Sequence, residues 1–559
     1  MIRFTRHLHP LLLPASAARR EQARRRPAML PYARFGFLQR HGWAGWLLLL
    51  LIGAAYGVLF ANGFPDNLAP LVAPFGILGL CIIWLLPATD RVPMRTLRAM
   101  LFVFLFGLLC WPDYLALALP GLPWITVIRL VGVPMMLTLL IAFSISPALR
   151  RQTGATLNSM PLVWKGYLLF MATGALSLVL SKNMSGSINR YLIAQMAWTT
   201  PFLVACIVFR RPGVATRFVY SLWAIVLVVC AIGVLEAHRK GVLWAGHIPH
   251  FLAIQDENVQ RFLAGTERAA NGVYRTQSKF TTSLGFAEYL AITTPFILHL
   301  IATSHRWVVR GGGIATLVLM LYCLIKTDSR LGMLGFLLSL LAFVLIWAVR
   351  LLRKDRHSLL ARIVIAAYPL MFLAAVVSAF TVPAIKYRIF GGGAAQFSTE
   401  SRKIQMRMGI PKVLAQPLGH GVGMGADTLG YTVQDGTLTI DSYYLAVALE
   451  YGVIGFIAFY GMLIAAMVYL ASQLMHAHDE ETELIGPLLI SFGVFFVIKS
   501  VFSQQENHPL VFIMLGLSCA LMERIRRERS WQLRSPMPPR PCGRIQRSRK
   551  FPIPKLNLF

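Results

Sequence analysis

The chain has 559 residues, of which 56% are hydrophobic and only 14% charged, and carries a formal net charge of +31. A water-soluble protein of this size would hold about a quarter charged residues, so a soluble globular domain is excluded. Roughly twenty of the 54 Lys and Arg lie in the two tails, among them Arg19, Arg20, Arg24, Arg25 and Arg26, then Arg524, Arg526, Arg527 and Arg529. Without accompanying aromatic or folded sequence, such tails read as topology anchors on anionic lipid, with no nucleic-acid partner.

From the N-terminus, residues 1–42 form a basic tail. LLLPASAARR (11–20) imitates a signal peptide, but its apolar core is too short and more arginines follow, so the segment is expected to be retained. Repeated apolar runs then give crossings near 43–62, 68–87, 97–119, 125–145, 161–181, 191–209 and 216–236. After a hydrophilic stretch at 237–284 come crossings near 285–303, 312–327, 330–349 and 361–380. A second such stretch, 381–441, precedes 442–473, 484–503 and 509–522, and a basic tail covers 523–559. The fold class is an all-α polytopic transmembrane helical bundle with about fourteen spans.

Short connections alternate in charge. TDRVPMRTLR (89–98), SPALRRQ (146–152), FRRPGVATR (209–217), SHRWVVR (304–310) and RLLRKDRHSLLAR (350–362) are basic, whereas ANGFPDN (61–67), PGLP (120–123) and SQQENHP (503–509) are not. The positive-inside rule puts both termini in the cytoplasm and sends the two long loops outside. HAHDEETE (476–483) is acidic although assigned inside, but acidic residues weigh little in that rule. Six of the seven cysteines fall in expected spans and Cys542 in the tail, which implies neither a disulfide framework nor a metal motif. His238, His247 and His250 have no metal-ligand spacing, so no metal or cofactor is expected.

Charged groups gather at the outer ends of the spans, where each needs a partner or a task. GVYRTQSKF (272–280) supplies Arg275 and Lys279, and TDSRLG (327–332) puts Asp328 and Arg330 in a tight turn. TESRKIQMR (399–407) supplies Arg402, Lys403 and Arg407 on a short surface helix interrupted at Pro411, while Asp441 and Glu450 border or enter the twelfth span. Outward arginines suit a pyrophosphate, because the guanidinium fork matches phosphate oxygens, and a carboxylate beside them suits a general base toward a sugar hydroxyl. Arginines at span ends also snorkel to headgroups, which is the competing reading.

QPLGHGVGMGADTLG (416–430) looks at first like a phosphate-cradling nucleotide loop. It lacks the strand and βαβ unit such a fingerprint needs, and the outer face offers no nucleotide pool. The apolar stretch 440–471 is longer than one crossing requires, and Gly452 and Gly455 offer a break. It reads as a half-helix at 442–450 followed by a full span, or as one long tilted helix.

Taken in order, Ser329-Arg330, HGVGMG and DSYYLAVALEYGVIG, preceded by YRTQSKFTTSLGFAEYLA (274–291), resemble the O-antigen ligase and polysaccharide-polymerase superfamily over about residues 270–473. The resemblance implies an inner-membrane glycosyltransferase that takes glycan from undecaprenyl pyrophosphate on the periplasmic side. It would polymerise lipid-linked repeats into exopolysaccharide, O-antigen or capsule, alongside other biosynthesis and export proteins. Arg330, then Arg275, Lys279, Arg402 and Arg407, would bind pyrophosphate or glycan, and Glu450 would orient an arginine. Ligases usually have His-Asn where this chain has Asp441-Ser442, so Asp441 or His420 is the candidate base. A ligase acting on lipid A-core or protein is the first alternative. A flippase for lipid-linked glycans is the second, although no internal repeat is evident.

Overall fold

The structure is a computed structural model that describes residues 69–534 apart from 90–91, 119–123, 255, 268–271, 382–395, 433–435 and 478, with isolated positions between 43 and 57. Both basic tails up to residue 42 and beyond 534, most of the first expected crossing, Asp435 and Cys542 lie outside the described residues. The helices, in chain order, begin with α1 (Ala69–Leu85), α2 (Met94–Cys110), α3 (Val127–Ile145), α4 (Pro147–Leu157) and α5 (Pro161–Leu178). Next come α6 (Met184–Val208), α7 (Val214–Arg239), α8 (Glu257–Ala264), α9 (Ser283–Thr303), α10 (Trp307–Thr327), α11 (Arg330–Lys354) and α12 (Leu359–Thr381). The last are α13 (Gln396–Ala415), α14 (Gly425–Leu429), α15 (Tyr443–Gln473), α16 (Ile485–Lys499) and α17 (His508–Arg534). Strand β1 (Thr266–Glu267) pairs antiparallel with β2 (Tyr274–Arg275).

Among the described residues nine helices are long and apolar enough to cross a membrane: α3, α6, α7, α9, α10, α11, α15, the helix ending at Lys499, and α17. Helices α1, α2, α5 and α12 stand at the places of four more expected crossings. All-α and polytopic is therefore the architecture, because only a helix satisfies every backbone group inside a bilayer without an edge. The 97–119 crossing is shorter than expected: α2 ends at Cys110, and Leu117 pairs instead with Ile125.

Enclosure is uneven. In α9 83% of the apolar window is buried and in α17 94%, whereas α10 and α11 bury only 28% each. Val318 and Leu337, on those last two, stand out as exposed apolar side chains, as a lipid-facing surface requires. Within α6, Gln195–Thr199 widens to a π-turn just before Pro201, whose missing N–H breaks the ordinary ladder. Helices α9 and α17 are therefore the most enclosed of the nine among the described residues.

Candidate functional site

Three short segments at one end of the bundle carry the charged residues singled out in the sequence. The first is the strap 274–280, which is tied down at several points. Glu236, buried near the end of α7, accepts hydrogen bonds from the Tyr274 hydroxyl (2.6 Å), the Gln277 amide (2.9 Å) and the Ser278 amide (2.5 Å). Ser278 sits at φ 53, in the left-handed region, to make that approach. The Thr276 amide donates to the Lys326 carbonyl at 3.1 Å, and Arg275 Nε to the Thr327 carbonyl at 3.0 Å. Arg275 is thereby held against the last turn of α10. Lys279 points elsewhere: its ammonium donates to the Leu108 carbonyl at 2.9 Å and lies over the Phe280 ring. With 2% exposure it is not brought together with Arg275.

The second segment is the turn between α10 and α11. Asp328 closes α10 at φ 47, and Ser329 caps α11 by accepting from the Gly332 amide at 3.1 Å. Arg330, half-buried, is the first residue of α11. A side chain at Gly332 would come within 2.6 Å of the Ala287 Cβ, so the turn is seated directly on α9. Arg275 and Arg330 therefore flank one short stretch of backbone, 327–330.

The third segment joins α13 to the start of α15. Gln405 and Asp441 bond reciprocally: the Asp441 amide donates to Gln405 Oε1 at 2.9 Å, and Gln405 Nε2 to Asp441 Oδ2 at 3.3 Å. Arg402, one turn before Gln405 on the same face, lies close enough to Asp441 to interact electrostatically. Burial raises the Asp441 carboxyl above its ordinary range, while Arg402 and the Gln405 bond pull it back down. The same burial lowers Arg402, opposed by Asp441. Arg402 Nε, Ser442 Oγ and the Tyr443 hydroxyl are buried without hydrogen-bond partners among the described residues, and Ser442 provides no side-chain cap to α15. Unmet donors beside a helix N-terminus make a place for an anion.

Arg407 is exposed on another side of α13 and does not join this group. The expected interruption at Pro411 is absent: α13 runs continuously from Gln396 to Ala415. Its surface position leaves the carbonyl freed by the proline open to water, which softens the usual penalty. Lys412 secures the helix by donating to the carbonyls of Thr428 (2.9 Å) and Leu429 (3.0 Å), at the end of α14.

The glycine turn has a mechanical task. Gly452 breaks α15 with φ 72 and ψ −177, leaving a half-helix before it and a full span after. Residues 417–425 wrap that break: the Val453 amide donates to the Pro417 carbonyl (2.9 Å) and the His420 amide to the Leu449 carbonyl (2.8 Å). A side chain at Gly419 would stand 2.4 Å from the Glu450 carbonyl oxygen, and one at Gly452 2.1 Å from that of Pro417. Bare backbone is required because two backbones touch. The buried Glu450 carboxylate is held by the amides of Gly423 and Gly425, and Arg190 of α6 donates to the Gly423 carbonyl.

His420 Nδ1 lies 3.1 Å from the Leu449 carbonyl, which can only accept, so that nitrogen carries the proton. Leu449 lies six residues beyond Tyr443, about 9 Å along α15 at the usual rise, and Asp441 precedes that helix by two residues. His420 thus sits toward the far end of the half-helix from Asp441. His238, His247 and His250 belong to no group of three or more metal-binding side chains among the described residues.

Residues 315–460 match the family model described as O-antigen ligase. That stretch belongs to the O-antigen ligase superfamily. The O-antigen ligase segment contains Arg330, Arg402, Arg407, His420, Asp441 and Glu450, whereas Arg275 and Lys279 precede it. No curated protein matches the chain. The match supports a role in glycan assembly of the ligase or polymerase type, and the nine apolar helices support a membrane protein.

The sequence reading passed over Glu236, Arg190 and a buried ion pair between Glu288 and Lys499. All of them lie within helices counted as apolar enough to cross a membrane, and asking what partners each such charge has would have exposed them.

Proposed function

We propose that the protein polymerises undecaprenyl-pyrophosphate-linked oligosaccharide repeats into an exopolysaccharide, O-antigen or capsule chain on the periplasmic face of the inner membrane. The observation that carries the reading is Asp441, paired with Gln405 and beside Arg402, at the uncapped start of a half-helix. Asp441 is the base that takes the proton from the acceptor sugar hydroxyl as that oxygen attacks the anomeric carbon. Arg275 and Arg330 receive the charge that develops on the departing lipid pyrophosphate, with Arg402 supporting whichever phosphate lies nearer the acceptor. Pre-aimed guanidinium donors of this kind stabilise the transition state without reorganising. The absence of nucleotide-sugars outside the cytoplasm fits a donor already attached to lipid.

The test is purified protein in liposomes with lipid-linked repeats and no lipid A-core. Growth of longer lipid-linked chains, lost in Asp441→Asn, supports polymerisation. The family match favours a second reading, transfer of finished glycan to lipid A-core or protein. Product that appears only when such an acceptor is added would replace polymerisation with ligation.

A further inference from the structure

Beneath the two halves of the site lies an ion pair with no access to solvent. Lys499 Nζ stands 2.9 Å from Glu288 Oε1 and 3.1 Å from Oε2, and both side chains are 0% exposed. Asn507 braces the pair, donating to Glu288 Oε2 at 3.2 Å and to the Gly285 carbonyl at 3.0 Å. Lys499 also donates to the Gln504 carbonyl and lies over the rings of Tyr443 (5.3 Å) and Phe495 (5.2 Å). Charges this deep are costly unless fully paired, and a well-packed apolar substitute is often no less stable. The pair therefore calls for a reason other than stability.

Its neighbours supply one. Glu288 follows Ala287, the residue on which the turn carrying Arg330 is seated through Gly332. Lys499 touches Tyr443, two residues after Asp441 and the first residue of α15. Glu506, next to Asn507, accepts from the Thr281 amide at 3.2 Å and so holds the end of the strap that bears Arg275. One bonded cluster thus reaches the supports of all three elements that present site residues.

We propose that the Glu288–Lys499 pair is a positioning device that fixes the separation between the Arg330 turn and Asp441. The role rests on the glycosyl-transfer reading above. An ion pair suits it because its length is set by direct bonds, whereas apolar contacts slide. Errors of about 1 Å between reacting groups cost on the order of a hundredfold in rate.

The experiment compares Glu288→Gln, Lys499→Met and the double variant in liposomes, reading chain growth and thermal unfolding. Each single variant strands a buried group and loses both stability and turnover. The double variant regains most of the wild-type unfolding temperature. Its turnover stays at least about tenfold low, with the KM for lipid-linked donor little changed. Wild-type turnover in the stable double variant overturns the proposal, since the pair would then be structural only.

A second readout does not depend on the substrate. Spin labels at exposed Lys326 and Lys403, in a background without native cysteines, report the distance between the two halves. The double variant gives a broader, displaced distribution, and an unchanged narrow one overturns the proposal. Wild-type protein inactive on lipid-linked repeats would sink the glycosyl-transfer reading, while the distance measurement still decides the pair. If the double variant fails to insert, Asn507→Ala takes its place: a few-fold loss of turnover and a broadened distance support the role, and wild-type values of both overturn it.

Discussion

Arg275 and Arg402 are both assigned to the same lipid-linked substrate, yet they are mounted in opposite ways. Arg275 rides on a strap whose backbone is bonded to Glu236 and to the Lys326 carbonyl, and whose Lys279 anchors to α2. Arg402 rides on a surface helix joined to the bundle by side chains, chiefly Gln405 to Asp441 and Lys412 to the end of α14. Backbone bonds to a buried carboxylate fix a position, whereas side-chain ties to an exposed helix let it adjust. Under the proposed reaction the strap would give the leaving group a rigid seat, and the surface helix would give the phosphate nearer the acceptor a more adjustable one.

The largest test of that contrast removes the carboxylate that Arg402 accompanies. Asp441→Asn is expected to lower chain growth by at least about a hundredfold while insertion and unfolding temperature stay near wild type, because a lost general base typically costs two to four orders of magnitude. Arg330→Ala comes next, at about a hundredfold in turnover, with lysine a poor replacement because it offers a point charge in place of a fork. Full-length polymer in an inserted Arg330→Ala protein would refute the rigid seat.

On the mechanical side, Gly452→Ala places a side chain at positive φ against the Pro417 carbonyl. The expected cost is about 1–3 kcal/mol of stability, read as a lower unfolding temperature in detergent. The pH dependence then sharpens the role of Arg402. Burial raises the Asp441 carboxyl, so the active carboxylate fills only above the ordinary aspartate range. Turnover should fall on acidification sooner than for an exposed aspartate. Arg402 lowers that carboxyl, so Arg402→Ala should move the acid limb of kcat/KM further up in pH. A limb that stays put or moves down would detach Arg402 from Asp441. Smallest of all, Arg407→Ala is expected to stay within about twofold of wild type, as exposed positions away from such features usually do.

Hydropathy carried the all-α, polytopic architecture in the sequence, since a bilayer admits few alternatives. The half-helix was readable too, because Gly452 falls where an apolar run outgrows one crossing. Arg330, Arg275, Arg402 and Asp441 were visible as charges gathered at span ends. Lys279 and Arg407 looked equivalent to them, and only the third dimension separates an inward ammonium and an off-face arginine from the rest. The Glu288–Lys499 pair was hidden for another reason. Its members lie on α9 and α16, far apart in the chain, and each by itself reads as an isolated charge in an apolar helix.

The break at Gly452 also bears on how the protein is made. An apolar stretch from Tyr443 to Gln473 would measure about 46 Å as one rod, well beyond a hydrocarbon layer of about 30 Å. The part from Val453 onward, about 32 Å, suffices alone. The glycine cradle precedes this stretch in the chain, so a ribosome delivers the socket before the piece it receives. A cell that produces the protein with a damaged cradle should accumulate a membrane-inserted, overlong helix, intact by mass and idle in function.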